Sequence, residues 1–260
     1  MKVAVAGGTG LLGRLVVAEL ERRGDVPVVL ARSRGVDLTT GVGVARALRG
    51  VTAVIDVSNV TTTSRRRAVA FFTAATQQLL AAADRAGVRH VVALSIVGAD
   101  TIDFGYYLGK RSQEELVAAG PVPWTLLRAT QFHEFAGQLV DRSPGPVVVV
   151  PRMRSRPVAA REVAAHLVEL AHSAPRGVAE PIAGPGELDM ADLVRRRLRA
   201  TGRRRLVLSL RLPGPAGRAF AHGGLLPAPP FVTGSETAEE HLALLAAAAG
   251  QPGGAGTRST

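Results

Sequence analysis

Tyr106, Tyr107 and Lys110 lie within five residues of one another in a chain that has no other tyrosine and only one other lysine, Lys2. Of 32 Lys and Arg residues, all but those two lysines are arginine. An ammonium is a compact donor with a tunable pKa, whereas a guanidinium is a planar fork that stays charged. A chain that writes Arg for ordinary positive charge therefore keeps Lys110 for work that Arg would not do. Residues four apart on a helix share a face, so the spacing sets the Tyr106 phenol beside the Lys110 ammonium, which favours the ionised phenol. Tyr107, three residues from Lys110, is also within reach, and spacing leaves open which phenol acts. The chemistry of such a pair is proton transfer to an oxygen.

A phosphate-binding turn stands near the start of the chain. Gly7-Gly8-Thr9-Gly10-Leu11-Leu12-Gly13 separates a short apolar run from a helical pattern. In this G-x-x-G-x-x-G spacing the glycines allow a tight turn, close approach of a pyrophosphate and close packing of helix on strand. Thr9, Leu11 and Leu12 fall where a helix N-terminus presents N–H groups and its positive dipole end to phosphate. After the second apolar run, where an acidic residue would hold ribose hydroxyls in an NAD site, the chain has Arg32, Ser33 and Arg34. Arginine grips a 2′-phosphate with two N–H groups, so NADP (as NADPH) is the expected cofactor. Asp37 and Leu38 are expected near the adenine.

The elements that must position these groups alternate between strand-length apolar runs and longer helical patterns. Strands are expected at residues 3–6, 28–31, 36–38, 53–57, 91–96 and 124–127, and helices at 11–23, 45–49, 68–86 and 106–119. That alternation predicts an α/β fold built on a doubly wound parallel sheet of the Rossmann type. Beyond residue 130 prolines multiply. Strands are expected at 147–150, the latter buried, and at 206–210. Helices are expected at 161–171, at 190–200 behind an Asp189 cap, and at 236–248. Residues 213–230 read as loop with a short helix. Residues 1–130 thus form the dinucleotide-binding core, 131–249 a smaller, irregular substrate-side part of the same domain, and 250–260 a flexible tail.

The net charge of +11 raises the question of nucleic acid, but the arginines are spread through the chain and aromatics make up 4% of it. Without a basic patch interleaved with aromatics, no nucleic-acid partner is expected. Absence of cysteine removes disulfides, thiolate metal sites and cysteine nucleophiles. His133, His166 and His172 lack a ligand spacing, so no metal is expected. No apolar stretch reaches the length of a membrane span, and the first residues do not build a signal peptide. A cytoplasmic protein with a small-molecule substrate and no membrane partner is expected, either monomer or homodimer.

The chain resembles the short-chain dehydrogenase/reductase superfamily, and within it the atypical, NmrA-like NAD(P)-binding branch. The resemblance is carried by residues 7–13, by Asp37-Leu38, and by Leu94-Ser95-Ile96-Val97-Gly98-Ala99. It continues in Gly105-Tyr106-Tyr107-Leu108-Gly109-Lys110, Glu114-Glu115-Leu116 and Pro123-Trp124-Thr125-Leu126-Leu127-Arg128. A looser match follows in Arg156-Pro157-Val158-Ala159-Ala160, and Glu162-Val163 stands where relatives often have Asp-Val. The resemblance implies that Tyr106 is the general acid, that Lys110 lowers its pKa and holds the nicotinamide ribose, and that Ser95 orients the substrate oxygen or the tyrosine. A strand-end serine that merely bonds backbone is the other reading of Ser95. The same resemblance places Ser58 and Asn59 near the cofactor and Tyr107, Gln131, Phe132 and His133 along the substrate pocket. His133 reads equally as a polar group at a helix start. Residues 220–231, with Leu225 and Leu226, are expected to give the pocket an apolar wall. The function implied is an NADPH-dependent oxidoreductase that transfers hydride to a carbonyl or quinone-like group of a small hydrophobic molecule. The alternative is a non-catalytic, NADP-binding redox sensor.

Overall fold

The computed structural model describes residues 1–250, so the expected tail lies, beyond Gly250, outside the described residues. The chain begins β1 (Lys2–Ala6), α1 (Leu11–Arg22), β2 (Val26–Leu30), α2 (Val44–Ala47), β3 (Ala53–Asp56), α3 (Arg65–Arg85), β4 (His90–Ile96), α4 (Gly105–Ala119) and β5 (Trp124–Ala129). It continues α5 (Phe135–Arg142), β6 (Val147–Pro151), β7 (Arg154–Ser155), α6 (Ala160–His172), β8 (Gly177–Val178), β9 (Ile182–Ala183) and β10 (Leu188–Asp189). The last elements are α7 (Met190–Ala200), β11 (Leu206–Leu210), α8 (Gly214–Ala221), β12 (Val232–Thr233) and α9 (Ala238–Gly250).

Eight strands form one parallel sheet in the order β12-β9-β5-β4-β3-β1-β2, with β8 also paired to β5. Parallel strands need crossover helices, which cover both faces and demand strands that are apolar on both sides. The run of Val3, Ala4, Val5 and Ala6, all fully buried, meets that demand. On one face α1 and α6 bury Val16, Leu20, Val163 and Leu167 against the sheet. On the other, α2, α3 and α4 bury Val44, Leu79 and Val117.

Residues 36–38 form no strand. A 3₁₀ turn at Arg32–Arg34 follows β2, and the Asp37 carboxylate then accepts from the Thr39 N–H at 2.8 Å and its hydroxyl at 2.7 Å. Aspartate bonded to the backbone two residues on makes a turn, which competes successfully with strand pairing for a segment this short.

The second half does not form one separate body. Its α6, β8, β9 and β12 complete the main sheet and its covering layer. Before α6 and again after β9 the chain leaves the sheet to build a lobe around Val148, Val150, Met190, Leu193, Val194 and Phe220. In that lobe β6 and β11 pair in parallel, residue 147 beside 206 through 151 beside 210. Only one face of β6 is buried: Val148 and Val150 point inward, whereas Val149 is 47% exposed. The Asp189 cap is present, its carboxylate accepting from the Ala191 N–H at 2.9 Å.

Candidate active site

Strand order reverses between β1 and β3, since β2 lies beyond β1 on one side and β4 beyond β3 on the other. The carboxyl ends of strands at such a switch point open a crevice. Gly7 ends β1 there with φ of +78°, and a Cβ built on it would stand 2.9 Å from both Ser58 Cα and Val57 O at the end of β3. Glycine is thus required by both conformation and space. At Gly13 the wall is tighter: a Cβ would meet Gly7 O at 2.1 Å and Gly8 Cα at 2.6 Å. The absent side chains let α1 start directly against the turn, with its first N–H groups aimed into the crevice.

Of the other residues expected at the cofactor, Thr9, Gly10 and Leu11 are exposed at the turn, while Leu12 is buried in the core under α1 and can offer only its backbone. Arg14 reaches back over the turn to donate to Thr9 O at 2.7 Å. That guanidinium was not singled out in the sequence, although its place in the first turn of α1 would have marked it. Arg32, Ser33 and Arg34 are exposed, and neither arginine makes an ion pair among the described residues. Asp37 is held below the ordinary carboxylate value, chiefly by the Thr39 hydroxyl, with Arg32 also contributing. Leu38 packs against the core beneath α2 and α3.

The two tyrosines diverge. Tyr106 donates to Asn59 Oδ1 at 3.0 Å, across to the segment after β3. Tyr107 is buried and turns into the lobe, where Gln131 Nε2 donates to its hydroxyl at 3.3 Å and Phe104 and Phe220 pack on its ring. Tyr106 therefore belongs to the crevice, and Tyr107 to the wall behind it. Lys110, one turn on from Tyr106, is buried; its ammonium donates to Leu94 O at 2.9 Å and to Gln113 Oε1 at 2.8 Å. Burial lowers its pKa to about 8, against the charges of Asp56 and Glu114 that pull upward. The expected acidification of Tyr106 is absent here: desolvation pushes the phenol above its ordinary value. The ammonium is drawn to acceptors on β4 and α4 instead.

Ser95 near the end of β4 and Ser58 after β3 are both buried, and neither hydroxyl has a partner among the described residues. A buried unpaired hydroxyl costs about 1–3 kcal/mol, which a ligand's polar groups would offset. The Ser58 hydroxyl, beside a glycine turn that a Cβ at Gly7 or Gly13 would fill, suits a nicotinamide dinucleotide. Gln131 bridges Tyr107 and the Ser155 hydroxyl. Phe132 pairs with Val158 and packs on the main core. His133 faces away from Tyr106: it is buried, stacks on His241 at 4.9 Å, and shares a 3.3 Å hydrogen bond with Glu236 O. Among the described residues no group of three His, Asp or Glu is placed to hold a metal. No helix there is long and apolar enough to cross a membrane.

A family model described as NAD(P)H-binding matches residues 7–174. A reductase of (4-alkanoyl-5-oxo-2,5-dihydrofuran-3-yl)methyl phosphate from Streptomyces griseus is 30% identical over 250 residues, covering 84% of each chain. A short-chain dehydrogenase/reductase superfamily protein from Agrobacterium tumefaciens with bound NAD superposes with a TM-score of 0.68 at 20% identity, over 95% of this chain and 97% of that one. An NADPH-dependent quinone oxidoreductase from Escherichia coli, complexed with NADPH, superposes with a TM-score of 0.68 at 19% identity, over 94% and 99%.

Proposed function

We propose, for a chain that belongs to the NAD(P)H-binding family as an atypical short-chain dehydrogenase/reductase and is thus an NAD(P)-dependent oxidoreductase, that it reduces a carbonyl conjugated to a carbon–carbon double bond on a small, largely apolar molecule. NADPH is the proposed reductant. The observation that carries the reading is the Tyr106 hydroxyl, held at the switch-point crevice by Asn59, with Lys110 one turn away and an unpaired Ser95 hydroxyl on the neighbouring strand. The conjugated-carbonyl class draws on the Streptomyces reductase, whose named substrate also carries a phosphate, and on the quinone oxidoreductase; the apolar preference draws on the aromatic wall of Phe104, Tyr107 and Phe220.

The turn at residues 7–13 and the α1 N-terminus would hold the pyrophosphate, Arg32 and Arg34 the 2′-phosphate, and Lys110 the nicotinamide ribose. Bound there, the dinucleotide supplies a hydride. Ser95 orients the substrate oxygen, and Tyr106 gives that oxygen its proton as negative charge gathers on it. A hydride and a proton are added in all, and the phenolate regains its proton from solvent on the open side of the crevice. Its raised pKa keeps Tyr106 in the protonated form that a general acid needs before turnover. Phe104, Tyr107 and Phe220, with rings 5.5–6.4 Å apart, give an apolar wall.

Tyr106→Phe tests the assignment. The expected result is a fall of at least about 100-fold in kcat, with NADPH affinity kept, measured by oxidation of NADPH with quinone and enone acceptors. Full turnover by the variant would move the acid elsewhere, and a wild-type protein that binds NADPH but reduces no acceptor would support a redox sensor.

A further inference from the structure

We infer that Asp56 and Gln113 form the support that sets Lys110 for cofactor binding: Asp56 acts as the buried counter-charge of the ammonium, and the Gln113 amide links the two. Both are positioning residues. For its kinetic consequence the inference rests on the reductase reading above, but its effect on cofactor binding does not.

Gln113 Nε2 donates to Asp56 Oδ2 at 2.8 Å, and Gln113 Oε1 accepts from Lys110 Nζ at 2.8 Å. Asp56 is 1% exposed, Gln113 0% and Lys110 4%, so water does not compete. An ionised carboxylate only accepts and an ammonium only donates. One orientation of the amide satisfies both neighbours; the flipped one would oppose acceptor to acceptor and donor to donor. The Gln113 amide is therefore polarised from end to end, and the Asp56 charge reaches Lys110 through it.

The other oxygen of the same carboxylate accepts from the Ser58 N–H at 2.9 Å. That bond fixes the turn after β3, and the next residue, Asn59, holds the Tyr106 hydroxyl. One buried carboxylate thus organises both members of the pair, Lys110 through Gln113 and Tyr106 through Ser58 and Asn59. An ammonium has three N–H groups. With Leu94 O and Gln113 Oε1 as partners, one remains for a ligand. Around Lys110, β3 contributes Asp56, β4 the Leu94 carbonyl, α3 the Phe72 ring at 4.4 Å, and α4 itself Glu114. Glu114 is already gripped by Arg128 at 2.6 and 3.0 Å, which leaves Asp56 as the uncompensated negative charge.

The test is NADPH affinity as a function of pH, read from nicotinamide fluorescence, in the wild type, Asp56→Asn, Gln113→Leu and Gln113→Glu. Affinity should fall in the wild type as pH rises through the Lys110 titration. In Asp56→Asn and Gln113→Leu the fall should begin about one pH unit lower, because the charged ammonium has lost support. Gln113→Glu should leave it unmoved or raise it, since a carboxyl can still donate to Asp56 and accept from Lys110. A merely structural role would weaken all three variants without lowering the titration in Gln113→Leu while sparing it in Gln113→Glu. Should Asp56→Asn not fold, the two Gln113 variants decide alone. A pH dependence that is absent, or that stays in place in Gln113→Leu, overturns the inference. Wild type that binds NADPH with the expected pH dependence yet reduces nothing overturns the reductase reading and leaves this one standing.

Discussion

Replacing Gly13 by alanine places one methyl group where the structure has backbone. Its carbon would lie 2.1 Å from Gly7 O and 2.6 Å from Gly8 Cα. Reaching a tolerable contact of about 3.2 Å requires α1 and the turn to part by about 1 Å, and neither wall is a flexible side chain. Overpacking of this kind costs about 1–3 kcal/mol, and the upper end applies because backbone must move. Alanine in the first turn of a helix recovers up to about 1 kcal/mol. The net loss is about 1–2 kcal/mol, or roughly 2–8 °C in Tm for a chain of this size. The same displacement pulls the α1 N–H groups away from the phosphate position, so NADPH affinity should fall by at least about tenfold. Gly10→Ala is the internal control for stability: its Cβ would meet only Gly7 O, at 3.3 Å, and a shift of a few tenths of an ångström accommodates it. Thermal melting and NADPH titration of both variants decide the matter. Equal melting temperatures for the two would refute the close-packing argument, and wild-type NADPH affinity in Gly13→Ala would refute the placement of the phosphates.

Joint replacement of Arg32 and Arg34 by alanine should raise the Kd for NADPH about 10- to 100-fold, the loss of charge-assisted hydrogen bonds, and leave that for NADH unchanged; equal changes for both would remove the 2′-phosphate assignment. Glu162 accepts from the Ser235 N–H and hydroxyl and from the Glu236 N–H at 2.6–3.1 Å, tying the chain before α9 to the start of α6. Burial opposes its ionisation, but these hydrogen bonds hold its pKa below 4.5. A carboxylate held low stabilises the fold above the unfolded value and loses that effect as pH falls below about 4.5. Glu162→Ala should cost about 2 kcal/mol at neutral pH and flatten the acid limb of stability; an unchanged limb would show that the clamp is not ionic.

The parts of this fold that were legible in sequence are those specified locally. The glycine turn, the apolar runs of β1, β3 and β4, and the helix carrying Tyr106 and Lys110 each state their structure within about fifteen residues. Residues 36–38 misled because Val36 and Leu38 look like a strand while Asp37 and Thr39 make a turn. That the two phenols part company depends on tertiary neighbours: Asn59 lies 47 residues before Tyr106, Gln131 24 residues after Tyr107. Gln113 and Asp56 are 57 residues apart and meet only where the end of β3 comes within reach of α4 across β4. The extra methylene of Glu162, neutral in appearance, spans to a segment 73 residues away.

The chain leaves the main sheet at Ala183 and returns at Val232, and these two strands lie side by side, Ile182 against Val232 and Ala183 against Thr233. The 184–231 excursion thus begins and ends at nearly the same place on the sheet edge. Apart from that edge, the excursion is held by the β11–β6 pairing and by the lobe core it shares with Tyr107, Val148 and Val150. Because Phe220 of the excursion packs on Phe104 and Tyr107, this edge is a place at which to graft the corresponding segment of a relative and ask whether acceptor preference travels with it.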